Sequence, residues 1–254
     1  MSFYGQSLLS THKLSLENIY ELFSFATEIK EQFLQRKTSF LPHWQSYLQE
    51  KVTFLVFFEP STRTAMSFQM ACQRLKLPFI NFPSEEQSSL SKGETLVDTL
   101  LNLKAMNPDL FVIRSGPSVE LMDFLDAMDV PVINAGSGAE EHPTQALLDA
   151  FTIEQRLGRV KGQRVLFVGD VRHSRVASSN LELFTRMGAQ VAICSPESMQ
   201  PTNEKWNGIQ RFAKLTEALD WATVVMGLRV QLERHSDANV ISPAEYSREY
   251  CLTP

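Results

Sequence analysis

Short apolar runs alternate with helix-periodic stretches along this chain, and that alternation limits the possible folds more than any other feature. The first run, residues 52–58, suits one buried strand and is closed by Glu59-Pro60. A helix is predicted over 62–75, a strand over 79–82, a helix over 94–106 and a strand over 110–114. A helix over 119–128 and a strand over 130–134 continue the series. Ahead of it, Leu16, Ile19, Tyr20, Leu22, Phe23, Ala26 and Ile29 recur at helical spacing behind Ser15, a suitable N-cap. After a glycine-containing loop over 135–141, Pro143 is placed to begin a helix reaching about residue 157, and Gly158 and Gly162 bracket a turn. A second alternation follows, with strands over 164–168, 190–194 and 223–228 and a helix over 176–187. Strands that alternate with helices imply parallel sheets covered by helices. The expectation is an α/β protein of two domains, 1–141 and 142–254, each a parallel sheet flanked by helices and joined by a long connecting helix.

Composition narrows the function. A net charge of −5 argues against nucleic-acid or membrane-surface binding by bulk electrostatics, so any cationic cluster is local. The longest apolar stretch, 54–58, is too short to span a bilayer, and residues 1–6 lack the basic start and apolar run of a signal peptide. Three distant cysteines, Cys72, Cys194 and Cys251, suit reduced thiols in a cytoplasmic protein better than a disulfide framework. None of the five histidines has metal-ligand spacing to another, so no zinc is expected.

Five segments could carry chemistry. Ser61-Thr62-Arg63-Thr64 follows a strand and opens a helix, where free amides and the helix dipole favour an anion and Arg63 adds a fork suited to phosphate. The plain alternative is a serine cap beside a solvated arginine. Neither a Walker loop nor a dinucleotide fingerprint is present, since Glu141 stands where the third glycine of G-x-G-x-x-G belongs. Arg114 lies at the carboxyl end of a strand, where open parallel sheets bind ligands. His142 is directed by the proline-initiated helix after it, and Gln145 shares that helix start. Residues 169–175 (GDVRHSR) and 228–234 (LRVQLER) leave two further strand ends, presenting Arg172, Arg175 and Arg229. Each could be a solvated loop. Their recurrence in an acidic chain suggests a cleft for a substrate with several negative charges.

Together these motifs resemble the catalytic chains of the aspartate carbamoyltransferases, in the aspartate/ornithine carbamoyltransferase family. The resemblance is carried by FFEPSTRTAMSFQMA, SSLSKGETLVDTL, NAGSGAEEHPTQALLDAFTI, VLFVGDVRHSRVASSNLELF and VVMGLRVQLER, in that order. S-T-R-T and H-P-x-Q belong to the wider group, whereas GDVRHSRV and RVQLER resemble the aspartate branch, and the H-C-L-P segment of the ornithine branch is absent. The resemblance implies that Ser61, Thr62, Arg63, Thr64 and Arg114 hold the phosphate of carbamoyl phosphate. It implies that Thr64, Arg114 and His142 meet the carbonyl oxygen and Gln145 the carbamoyl nitrogen. Arg175 and Arg229, with Gln231 nearby, would grip the carboxylates of L-aspartate. Ser89 and Lys92, on a polar loop over 83–92, would enter the site of a neighbouring subunit of a homotrimer, Lys92 also reaching aspartate and, with Arg63, helping phosphate leave. No cofactor, metal or nucleotide is implied. Regulatory or dihydroorotase subunits are partners on which the sequence is silent.

Some positions depart from the resemblance. Ala65 stands where the family usually has arginine, Gln69 where it has glutamate, and Ser178 where a basic residue is common; altered packing is expected there. The family continues to a His-Pro-x-Pro loop that touches the carbamoyl group, and this sequence ends at Pro254, so a piece of a longer chain is expected. Two rival readings remain: a carbamoyltransferase for another amino acid, and a non-catalytic scaffold paralogue.

Overall fold

The computed structural model describes residues 5–35, 42–82, 93–116, 118–137, 141–231 and 241–252. The predicted loop over 83–92, with Ser89 and Lys92, and residues 232–240, with Arg234, lie outside the described residues. The chain divides into two compact units. His142–Thr144 group with the first and Gln145–Pro254 with the second, so the division falls just inside the helix that begins at Pro143. The sequence reading had placed His142 with the second domain.

The first unit opens with helix α1 (Leu16–Leu34), which Ser15 caps as expected. Ser15 Oγ accepts from the Asn18 amide at 3.0 Å and Asn18 Oδ1 accepts from the Ser15 amide at 3.2 Å, which satisfies two otherwise orphan donors. Helix α2 (Pro42–Leu48) precedes strand β1 (Thr53–Phe57). Then come α3 (Thr62–Leu75), β2 (Phe79–Asn81), α4 (Leu96–Lys104), β3 (Leu110–Ser115), α5 (Val119–Asp126) and β4 (Val132–Ser137). The four strands are parallel, in the order β2-β1-β3-β4. Side chains alternate across the sheet, so Phe54 and Val56 enter one core with Leu100, Phe111, Ile113, Leu121 and Leu125. Leu55 faces the other side with Val112 and Ala135. Phe54 and Phe111, register partners, stack with centroids 5.7 Å apart. Leu8 adds a parallel bridge beside β4, its amide donating to Val132 O at 2.8 Å.

Strand β4 begins two residues later than predicted and runs through Ala135-Gly136-Ser137, which the sequence reading had placed in a loop. The Asn134 side chain explains the extension. Its Oδ1 accepts from the Gly136 amide at 2.8 Å, and its Nδ2 donates to Leu9 O at 2.9 Å.

In the second unit, helix α6 (Pro143–Leu157) leads to β5 (Arg164–Val168), α7 (Arg175–Arg186), β6 (Gln190–Cys194), β7 (Gln210–Phe212), α8 (Leu215–Trp221), β8 (Val224–Gly227) and α9 (Pro243–Tyr250). Its sheet is parallel, in the order β7-β6-β5-β8. Phe167 is wholly buried, stacked on Phe184 of α7 at 6.5 Å and edge-on to Trp206 at 6.1 Å. Leu166 and Val168 face the opposite side with Ala192, Cys194 and Ala218.

Both sheets reverse direction at an inner strand. In the first unit the chain steps from β1 outward to β2, then returns to place β3 on the other side of β1. In the second it steps from β5 through β6 to β7, then returns to place β8 beside β5. At such a reversal the connections leave toward opposite faces, opening a crevice at the carboxyl ends of the two neighbouring strands. The crevices fall between β1 and β3 and between β5 and β8.

Gly169 permits close packing at the end of β5. It follows β5 with φ +110°, and a methyl group there would lie 2.8 Å from Leu228 O and 2.5 Å from the Tyr246 hydroxyl. Gly169→Ala combines a disfavoured backbone with a steric clash, so it is expected to cost about 2 kcal/mol or more. Chemical denaturation followed by tryptophan fluorescence will show it as a lower midpoint with an unchanged slope.

Candidate functional site

At the β1 end, the Phe58 amide donates to Arg114 O at 2.8 Å, which keeps the chain paired to β3 just before it turns at Pro60. Ser61 is then the N-cap of α3, with φ −158° and ψ 96°, yet its side chain makes no capping hydrogen bond. Ser61 thus occupies the cap position with its hydroxyl outside the cap hydrogen bond. The first intrahelical bond runs from the Ala65 amide to Ser61 O at 3.0 Å, so the Thr62, Arg63 and Thr64 amides precede the ladder. No acidic residue sits in the first turn to offset the positive end of the helix. Thr62 and Arg63 are exposed, and Ser61 and Thr64 half-buried. Free first-turn amides at the positive end of a helix, with an exposed arginine beside them, can receive an anion.

Arg114 stands beside it in register with Phe57 and is buried at 8% exposure. Its Nη1 donates to Ala135 O on β4 at 3.2 Å, and its Nη2 lies 3.7 Å from Glu59 Oε2. A buried guanidinium needs such partners, and they fix its plane across the ends of three strands. His142 is equally buried, with Nδ1 3.4 Å from Thr144 Oγ1. Ser61–Thr64, Arg114 and His142 all belong to the first unit, following β1, near the end of β3 and following β4 respectively.

The second unit holds the other candidates. Gln145, in the first turn of α6, donates from Nε2 to Asp149 Oδ1 at 2.9 Å. Asn180 Nδ2 donates to Asp149 Oδ2 at 2.8 Å. Burial pushes the Asp149 carboxyl above the usual carboxylate range, and the bonds from Asn180 and Gln145 offset only part of that rise.

Arg175 opens α7 behind Ser174, whose hydroxyl accepts from the Ala177 amide at 3.1 Å. Arg229 and Gln231 follow β8, Arg229 exposed and Gln231 half-buried. One buried carboxylate ties the two loops together. Asp170 is fully buried; its Oδ1 lies 2.8 Å from His173 Nδ1, and its Oδ2 accepts from the Gln231 amide at 3.1 Å. Gln231 Nε2 returns a bond to His173 O at 2.6 Å. Leu228 pairs with Val168 O at 2.8 Å, so the strands are already held when the loops part. Arg175 and Arg229 therefore follow the two segments that Asp170 ties together. Arg172 also leaves this loop, exposed.

Sequence reasoning gave no role to Glu59, Asp149, Asp170 or Asn180. The available signal was an acid embedded in an otherwise cationic strand-end segment, as at Asp170 among Arg172, His173 and Arg175. The departures are local. Gln69 Nε2 donates to Asn81 Oδ1 at 3.1 Å, tying α3 to the end of β2. Ser178 receives the ammonium of Lys205, so a cation from another segment reaches the position where a base was expected.

Two family models match the chain, with their boundary at the end of α6 rather than at its start. Residues 6–155 match the carbamoyl-phosphate-binding domain of the aspartate/ornithine carbamoyltransferases, and residues 161–241 match their aspartate/ornithine-binding domain. The chain is 45% identical over 240 residues to an aspartate carbamoyltransferase catalytic subunit of Chlorobium chlorochromatii, covering 94% of this chain and 75% of that one. It is 41% identical to the corresponding subunit of Syntrophotalea carbinolica, over 100% of this chain and 79% of that one. The fold is similar to aspartate transcarbamoylase of Trypanosoma cruzi in complex with carbamoyl phosphate, with a TM-score of 0.80, 31% identity and coverage of 92% and 74%. The same enzyme with aspartate and phosphate gives a TM-score of 0.79 at 32% identity, covering 91% and 77%.

Removing the Asp170 carboxylate would strand the partly buried amide of Gln231 and leave His173 without its carboxylate partner. Asp170→Ala is expected to cost on the order of 3 kcal/mol of stability. Hydrogen exchange will report it as lost protection at the Gln231 amide, with the amides of β1 and β3 unaffected.

Proposed function

The chain belongs to the aspartate/ornithine carbamoyltransferase family, and on that premise we propose how its residues perform the reaction. The activity is carbamoyl transfer from carbamoyl phosphate to the amine of L-aspartate, giving N-carbamoyl-L-aspartate and phosphate. The observation that carries the residue assignment is the recurrence of cationic groups at the reversal point of each sheet, in a chain of net charge −5.

The first-turn amides of α3 with Ser61, Thr62, Arg63 and Thr64, joined by Arg114, take the phosphate. Arg175 and Arg229 take the two carboxylates of aspartate, with Gln231 held beside them by Asp170. The neutral amine attacks the carbamoyl carbon, and negative charge moves onto its carbonyl oxygen. Thr64, Arg114 and His142 stabilise that charge, and Gln145 meets the carbamoyl nitrogen. As the tetrahedral species collapses, the attacking nitrogen gives its extra proton to a phosphate oxygen, the carbon–oxygen bond to phosphate breaks, and Arg63 and Lys92 favour departure of the dianion. Positioning two anionic substrates against their mutual repulsion supplies much of the remaining acceleration.

The assembly proposed with this activity is a homotrimer in which Ser89 and Lys92 serve a neighbouring subunit. Supporting it is an apolar surface in the first unit, where Met66 and Met70, one turn apart on α3, and Ile80 on β2 are each half exposed. A cytoplasmic location accords with free thiols at Cys72, Cys194 and Cys251, and the product is an early intermediate of pyrimidine synthesis.

Arg63→Ala is expected to lower kcat/KM at least a thousandfold, about 4 kcal/mol of transition-state stabilisation. Arg63 is exposed, so its thermal midpoint should stay within a degree or two of the parent. Retained turnover would overturn the phosphate assignment. Phosphate release measured with aspartate and with ornithine tests the acceptor, and a preference for ornithine would overturn the dicarboxylate reading of Arg175 and Arg229.

A further inference from the structure

A carboxylate can only accept hydrogen bonds, and that one-sidedness dictates how neighbouring amides must face. Asp149 sits one turn beyond Gln145 on α6 and receives Gln145 Nε2 on one oxygen and Asn180 Nδ2 on the other. Both amides spend an NH2 on the same group. Gln145 is thereby turned with Oε1 away from Asp149.

Asn180 shows how firmly the arrangement is imposed. It is fully buried on α7, its Nδ2 also lies 3.6 Å from Met226 Sδ, and its own Oδ1 has no hydrogen-bond partner. Buried carbonyl oxygens are rarely left so. Turning the Asn180 amide over would set its oxygen against the carboxylate of Asp149, and the fold accepts the unsatisfied atom instead.

We propose that Asp149 is a positioning residue: anchored by Asn180, it holds Gln145 so that Oε1 faces the donor substrate and selects an acyl phosphate carrying NH2 over one carrying a methyl group. This rests on the reading of Gln145 as the residue that meets the carbamoyl nitrogen. An amide oxygen fixed in one direction rewards a donor and is left unpaired by a methyl group of the same size. Sites built this way reject the analogue that lacks the hydrogen-bonding group.

The test compares carbamoyl phosphate with acetyl phosphate by calorimetric titration of the purified chain, so the readout does not depend on turnover. Asp149→Ala is expected to weaken carbamoyl phosphate about tenfold and to leave acetyl phosphate within about twofold, collapsing the preference. Asp149→Leu, which refills the space, should behave alike and serves where the alanine variant fails to fold. Gln145→Ala should collapse the preference as well. The double variant should be no worse than Gln145→Ala alone, because Asp149 acts only through Gln145. A further loss in the double variant, or an intact preference in both Asp149 variants, overturns the proposal while sparing the reading of Gln145. An intact preference in Gln145→Ala overturns both.

Discussion

A parallel sheet delivers the carboxyl ends of all its strands to one edge, and the placement of the described candidate residues follows from that constraint. Reversal of strand order then selects two adjacent ends in each unit, β1 with β3 and β5 with β8. Backbone pairing continues one residue past each selected strand, through the Phe58 amide to Arg114 O and the Leu228 amide to Val168 O. Only beyond those bonds do the loops separate. Their side chains are therefore carried by the most rigid part of each sheet, although they stand on connections.

Near the candidate residues three acids are tied to protein donors, Asp170 fully buried and Glu59 and Asp149 partly so. Glu59 lies against Arg114, Asp170 gathers donors from two loops, and Asp149 collects two amides. None of these acids competes for an incoming anion as an exposed carboxylate would. Each contacts a residue proposed to bind substrate. The acidic total charge is thus compatible with cationic sites, because the acids near them are already committed to protein donors.

Much of this was legible before any coordinates. α3 and the strands β5 and β6 were read with their observed bounds, since buried strands announce themselves as continuous apolar runs. What escaped was short, exposed or polar. β7 is three residues with two of them exposed, α8 has seven residues, and α9 (PAEYSREY) buries no residue. The end of β4 was misplaced because a side chain, Asn134, prolongs the strand through residues that read as a turn. Among the site residues, the cationic and hydroxyl groups were visible as motifs. The acids that aim them were not, since their partners lie far along the chain: Asp149 meets Asn180 thirty-one positions on, and Asp170 meets Gln231 sixty-one positions on.

The sheets also taper. Each ends on one side in a three-residue strand, β2 and β7, and the flank of β4 is taken by Leu8. An edge of three residues offers a foreign strand very little ladder to extend. Newly made chains crowd one another before folding is complete, and in each sheet the strongly apolar strands β1, β3 and β5, β6 lie at the centre. Its most cohesive segments are thereby the least able to recruit a neighbour into a growing aggregate.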